Sequence, residues 1–370
     1  MIQTPPMVTA DSISEWCKGP ARTEKTDRSE LLKAAAEAFQ IGLQKPPRNS
    51  FEEGRIACRK LLNGVVMQRL TENQRILSAR CKQYYTKARE AARRGDIGGS
   101  CQLFGMAKSI AGSQDLCREA QLLCAADIAA AEAYLEYCCE YYEQAVARLH
   151  DALVLDESLE SEFGYCVLHA HRLHLVNNLI KTQARFSGPP AAMHLASSAL
   201  AYLLGRTETM AVPGTWGQDK LSLLPKEVIA MMFAQAIGEI ATLLAGIERT
   251  EAAELLDLAA GQIDTSSDES VGEKQASEWL RIKRLFCSGD VNSFLTRASW
   301  FLAEGPGDTV SLWQTIALDL SCECAADPAS RPFAEMILQS AASWKMASQT
   351  IQKTISRLTR ATSFRASSRP

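Results

Sequence analysis

The chain has 370 residues, 46% of them hydrophobic and 22% charged, with a formal net charge of −3. This balance is ordinary for a globular protein with a large core or two ordinary domains, and it excludes a global electrostatic pull toward nucleic acid or membrane. Ala and Leu are plentiful and Val-Ile-Thr alternation is scarce, which favours helix over sheet. No continuous apolar run reaches the roughly 18 residues that span a bilayer, and residues 1–10 lack both the basic region and the apolar stretch of a signal peptide. The 12 cysteines contain no Cys-x-x-Cys pair and lie mostly inside helical patterns, so reduced, buried thiols in a cytoplasmic protein are expected.

In chain order, residues 1–28 carry Pro5, Pro6, Gly19 and Pro20 amid polar filler and read as a flexible lead-in. A short amphipathic helix is predicted over 29–43, with Leu32, Ala36 and Phe39 at helical spacing and Ser29 as its N-cap. After the break at Pro46-Pro47, a longer helix is predicted over 51–77, with Ile56, Leu61, Leu62, Val65, Val66 and Leu70 on its apolar side.

From there a repeated pattern takes over. Tyr84, Ala88, Gly95-Asp96, Ser100, Phe104 and Ala107 place an aromatic and a small residue on one helix, then a turn, then small, aromatic and small positions on the next. Helices over 116–139 and 142–156 give a second pair, in which Ala145, Leu149 and Ala152 mark a close helix approach and Glu140-Tyr141 stand where the first pair has Gly-Asp. A third pair joins 161–186 to 191–204 through Ser187-Gly188-Pro189-Pro190. The irregular stretch 205–224 is long for a connection inside a compact array, and within it Trp216 is expected either to anchor an interface or to fold back and plug the interruption. Further pairs are predicted over 225–247 with 251–263, over 273–287 with 291–303 through Gly289-Asp290, and over 309–325 with 331–347. The tail 348–370 has no acidic residue. Lys353, Arg357, Arg360, Arg365 and Arg369 run beside Ile351, Ile355 and Leu358, which suits a helical cap followed by a basic segment able to touch an acidic surface weakly.

The hairpins from Tyr84 to Ala347 resemble those of tetratricopeptide-repeat proteins, with the best agreement at Tyr84–Ala107 and Tyr142–Asp156. The resemblance implies an all-α, right-handed α/α solenoid of about six helical hairpins over 29–347, with extra N-terminal helices. One hairpin cannot bury both faces of its apolar stripe, and stacking leaves a concave groove. A protein-binding scaffold that holds a peptide or extended protein segment is the function implied.

The residues themselves add a candidate site. His171, Arg172, His174, Asn178 and Lys181 recur at steps of three and four and form one polar stripe, expected to line the groove; His169 points elsewhere. An Asn amide offers a donor and an acceptor to a peptide backbone, and Arg172 and Lys181 add carboxylate or phosphate recognition. The same segment admits two other readings. One is a regulatory sensor that binds a small molecule or signalling peptide. The other is a helical enzyme or accessory protein that uses 169–174 with a metal. Neither Glu-x-x-His nor His-Glu-x-x-His occurs, and no phosphate loop, dinucleotide fingerprint or nucleophile elbow is present. No catalytic residue, no cofactor and no bound metal are therefore expected, and the expected partner is a protein or peptide rather than nucleic acid.

Overall fold

The computed structural model describes residues 27–48, 50–245, 247–260, 271–344 and 347–367. Among them are sixteen α-helices and no strand. Two helices lead: α1 (Arg28–Leu43) and α2 (Ser50–Arg69). Six pairs follow: α3 (Glu72–Arg93) with α4 (Ile97–Ala111), α5 (Arg118–Cys138) with α6 (Tyr142–Phe163), and α7 (Leu168–Phe186) with α8 (Pro189–Leu203). After the short α9 (Gln218–Ser222) come α10 (Lys226–Ala245) with α11 (Arg249–Ala260), α12 (Val271–Ser288) with α13 (Val291–Glu304), and α14 (Val310–Ala326) with α15 (Arg331–Ala341). α16 (Gln349–Ser367) closes the chain, so much of the basic tail is one helix.

Local chemistry explains most boundaries. Gly95 and Gly289 both take positive φ, 81° and 78°, at the ends of α3 and α12. Asp96 and Asp290 then cap the next helix, accepting hydrogen bonds from the backbone N–H of Gly99 at 2.9 Å and Ser293 at 3.2 Å. Three expected boundaries move. The N-cap of α1 is Asp27, whose carboxylate accepts from the Ser29 N–H, rather than Ser29 itself. The helix expected over 51–77 is two helices, because Thr71 and Gln74 form a reciprocal capping box that starts α3. α6 runs past 156 to Phe163 and ends on Gly164 in the left-handed conformation, and only then does α7 begin.

Each pair packs on itself, and α5 and α6 bury Ala145, Leu149 and Ala152 where they meet. In the other direction the contacts reach further than neighbours. α1 lies on α13, α14 and α15, and Phe39 stacks on Trp313 with ring centres 5.1 Å apart. α2 lies on α10, where Gly54 approaches Met231. α10 is the hub, touching α2, α7, α8, α11, α12, α14 and α16. It is the one described helix long and apolar enough to cross a membrane, and 61% of that window is buried inside the protein. A continuous core runs from Leu32 and Phe39 through α7, α8 and α10 to Trp279, Trp313 and Ile337. A smaller cluster joins α3, α4 and α5 around Cys81, Ala88, Phe104 and Cys124. Residues 205–224 fold onto the main core with Met210, Val212, Leu221 and Leu224 buried.

Candidate binding site on α7

The stripe on α7 divides into two sides. Successive steps of three and four keep His171, His174, Asn178 and Lys181 on one side, where none is fully buried. Arg172, one residue along, turns about 100° away and is 0% exposed. Its Nη1 donates to Glu160 Oε2 at 3.1 Å and to the Thr215 carbonyl at 2.9 Å, and its guanidinium lies 4.1 Å from the centre of the Trp216 ring. Lys220 adds a second cation 3.7 Å from the same Glu160 oxygen. Arg172 thus pins the 205–224 loop to α6 and α7, and it does not join the other four residues.

Trp216 completes that lock. It meets the His169 ring edge-on at 5.4 Å and the Tyr202 ring at 5.7 Å, and its indole N–H donates to the Val212 carbonyl. Tyr202 donates to the Gly217 carbonyl at 2.6 Å, so the proton in the 2.8 Å contact between His169 Nε2 and the Tyr202 hydroxyl belongs to the histidine. Gly214 takes φ +124°, and any side chain there would run into the Arg172 guanidinium. The loop folds back as a plug, the second of the two roles expected for Trp216.

On the open side, three of the four residues are held by a partner on a neighbouring helix. His171 Nδ1 sits 2.7 Å from Asp156 Oδ2 on α6; the His171 side chain is 27% exposed and that of Asp156 1%. Burial works against a charged imidazole here, but the charge and hydrogen bond of Asp156, helped by Asp127, outweigh it and push His171 up to about 9. Burial also raises Asp156, and the His171 contact opposes that rise. For this pair the imidazole is the better site for the proton, because its Nδ1–H is aimed at a carboxylate that pairs with no other cation among the described residues. His174 takes the opposite state. Burial, and then the neighbouring charges of His171, Lys181 and Arg89, push it down to about 4 against the hydrogen bond to Gln235. Its Nδ1 lies 3.1 Å from Gln235 Oε1, which also accepts from the buried Asn177 amide at 3.0 Å. Lys181 pairs with Glu239 at 3.0 Å, and burial raises the Glu239 carboxyl. Asn178 is half-buried, and its backbone carbonyl accepts from Thr182 Oγ1.

Further polar groups border this side. Asp127 of α5 accepts from the Tyr85 hydroxyl of α3 at 2.6 Å, and burial with that carboxylate raises the phenol well above its ordinary range. Lys82 and Arg89, exposed on α3, act electrostatically to lower His171 and His174 respectively. The open side of α7 is therefore bordered by α6, through Asp156, and by α10, through Gln235 and Glu239. With Nδ1 engaged, Nε2 is a donor in the charged His171 ring and an acceptor in the neutral His174 ring. The two rings stand side by side, 6.4 Å apart and 24° from parallel, and do not converge on one point. Among the described residues no group of three His, Cys, Asp or Glu side chains could hold a metal ion.

Asp156, Gln235 and Glu239 were not singled out from sequence, although each left a signal. Asp156 lies two turns after Leu149 on the buried face of α6, and a carboxylate there requires a partner from the adjoining helix. Gln235 and Glu239 are one turn apart in a helix otherwise almost wholly apolar.

No protein-family model matches the chain, and no curated protein or solved structure is similar enough to match it.

Proposed function

We propose that the chain is a non-catalytic interaction scaffold whose paired helices stack as a right-handed α/α array of the tetratricopeptide kind. It receives an extended polypeptide segment on the open side of α7. The observation that carries this reading is the anchored stripe: His171, His174 and Lys181 are each held by a side chain of α6 or α10 while remaining partly open to solvent. Donors and acceptors fixed in advance lose little freedom when a backbone is laid across them. An extended segment also suits a stripe whose polar groups recur at successive turns of α7. The array works in the cytoplasm, a reading supported by the eleven described cysteines, all unpaired.

The test is affinity selection of random displayed peptides on the full chain. Peptides retained by the wild type are expected to be lost from a variant carrying His174→Ala, Asn178→Ala and Lys181→Ala, and kept by Val154→Ser, which alters an exposed site on α6 away from the stripe. Retention that ignores the triple change, in a variant with wild-type helicity, would overturn the proposal.

A further inference from the structure

A helix in a globular protein owes most of its stability to the packing of its apolar face. α2 departs from this. Among its described side chains only Gly54 is buried, although seven Phe, Ile, Leu, Val or Met residues lie between Phe51 and Met67. Cys58, Leu62, Val65 and Val66 touch the cores half-buried, whereas Ile56 and Met67 are 53% and 60% exposed. Beside them a cleft between α2 and Pro225 is lined by Ala57, Lys60, Leu61, Gly64 and Val65. Leu223, two residues before Pro225, is 63% exposed. A Cβ at Gly64 would meet no atom of the chain, so the roughly 1 kcal/mol that this glycine costs the helix relieves no crowding inside the molecule. Apolar surface gathered in this way marks an interaction site.

The charges on the outward side of α2 select the occupant. Glu52 pairs with Arg55, but Glu53 and Lys60 are exposed and make no ion pair among the described residues. At 100° per residue, Glu53, Ile56, Lys60 and Met67 fall within one sector of about 60°. An acid at one end of this stripe, a base further along and an apolar residue between them are complementary to the same stripe read backwards. We propose that two copies of the chain associate through α2, paired antiparallel about a two-fold axis. In such a contact a residue that faces another is faced by it in return. Glu53 then meets Lys60 of the second copy, and this ion pair forms twice. The axis falls between positions 56 and 57, where Ile56 packs on Ala57 of the second copy at the edge of the cleft. The contact rests on one helix and its flanking cleft, so its area is small and the dimer dissociates at concentrations on the order of micromolar. It uses no residue of the α7 stripe and stands or falls apart from the peptide-binding reading.

The experiment measures the mass of the full chain by analytical ultracentrifugation over about 1–200 μM. The wild type is expected to pass from the mass of one chain to that of two as concentration rises. Ile56→Glu, at an exposed position where helicity should be unchanged, is expected to hold the chain as a monomer throughout. Glu53→Lys and Lys60→Glu each place like charges opposite one another twice, and each is expected to weaken association by about threefold to tenfold. An equimolar mixture of these two single variants should recover the wild-type strength to within about twofold, because the opposite charges face each other again in the mixed dimer. A wild type that stays monomeric at every concentration would overturn the proposal. So would a dimer that ignores Ile56→Glu, which would place the contact elsewhere on the molecule. Single variants that mixing fails to restore would overturn the antiparallel pairing through Glu53 and Lys60.

Discussion

Glu140 is the only described residue other than glycine with positive φ, 64°, at the end of α5. Two other pairs place Gly95 and Gly289 in the equivalent turns. A Cβ in the left-handed region costs about 1 kcal/mol, so Glu140→Gly is expected to stabilise the protein by about that amount in chemical denaturation. Destabilisation would mean that the exposed carboxylate does more than turn the chain. His174 gives a second residue-scale expectation. Its folded value, about 4, lies below the ordinary 6.5. Between those values the unfolded chain binds a proton that the folded chain refuses, so stability is complete above pH 6.5 and falls as pH drops toward 4. The loss is on the order of 2 kcal/mol for a partly exposed ring. His174→Asn should flatten that part of the pH profile relative to wild type, and an unchanged slope would contradict the assigned neutral state. Residue identity alone could not separate Arg172 from its neighbours on the stripe. Spacing places it 100° from His171, but only the packing of Trp216 and Glu160 shows that this other side is closed.

At the scale of elements, most helices and turns were legible because local chemistry dictates them. Gly-Asp turns, Pro189 at the start of α8 and the small-aromatic-small order of α4 each act within a few residues. The junction near residue 70 was missed because apolar spacing continues from α2 into α3, while the capping box that ends the run rests on two polar side chains, Thr71 and Gln74. Where α1 packs was not legible at all, since its partners are some 270 residues away in the chain. One glycine makes that docking possible. A Cβ at Gly42 would collide with the Leu302 carbonyl of α13 and crowd Gly305. Gly42→Ala raises helix propensity by about 1 kcal/mol in isolation, yet it should destabilise the protein by about 1–3 kcal/mol by prising α1 from α13. A raised melting temperature would show that α1 docks more loosely than described.

The whole molecule depends on how its second half is tied together. Lys283 of α12 and Asp319 of α14 form a buried ion pair at 2.6 Å. Glu323, one turn further along α14, pairs with both Arg28 of α1 and Arg249 of α11. Burial raises the Asp319 carboxyl, and Lys283 opposes the rise. Removing one partner leaves the other charged without a counterion, so Lys283→Met should cost about 3–5 kcal/mol, whereas Lys283→Met combined with Asp319→Leu should recover most of it. A double variant no more stable than the single one would show that the loss comes from packing instead of charge. The smaller core around α3 and α4 carries far fewer buried side chains than the main one.

The most direct measurement is site-specific crosslinking of a peptide selected on the wild-type chain, with a photoreactive side chain placed at Asn178 on α7 or at Val154 on α6. The account predicts crosslinking from position 178, competed by the unlabelled peptide, and none from 154. Crosslinking from 154, or from neither position while the peptide stays bound, would contradict a binding surface on the α7 stripe.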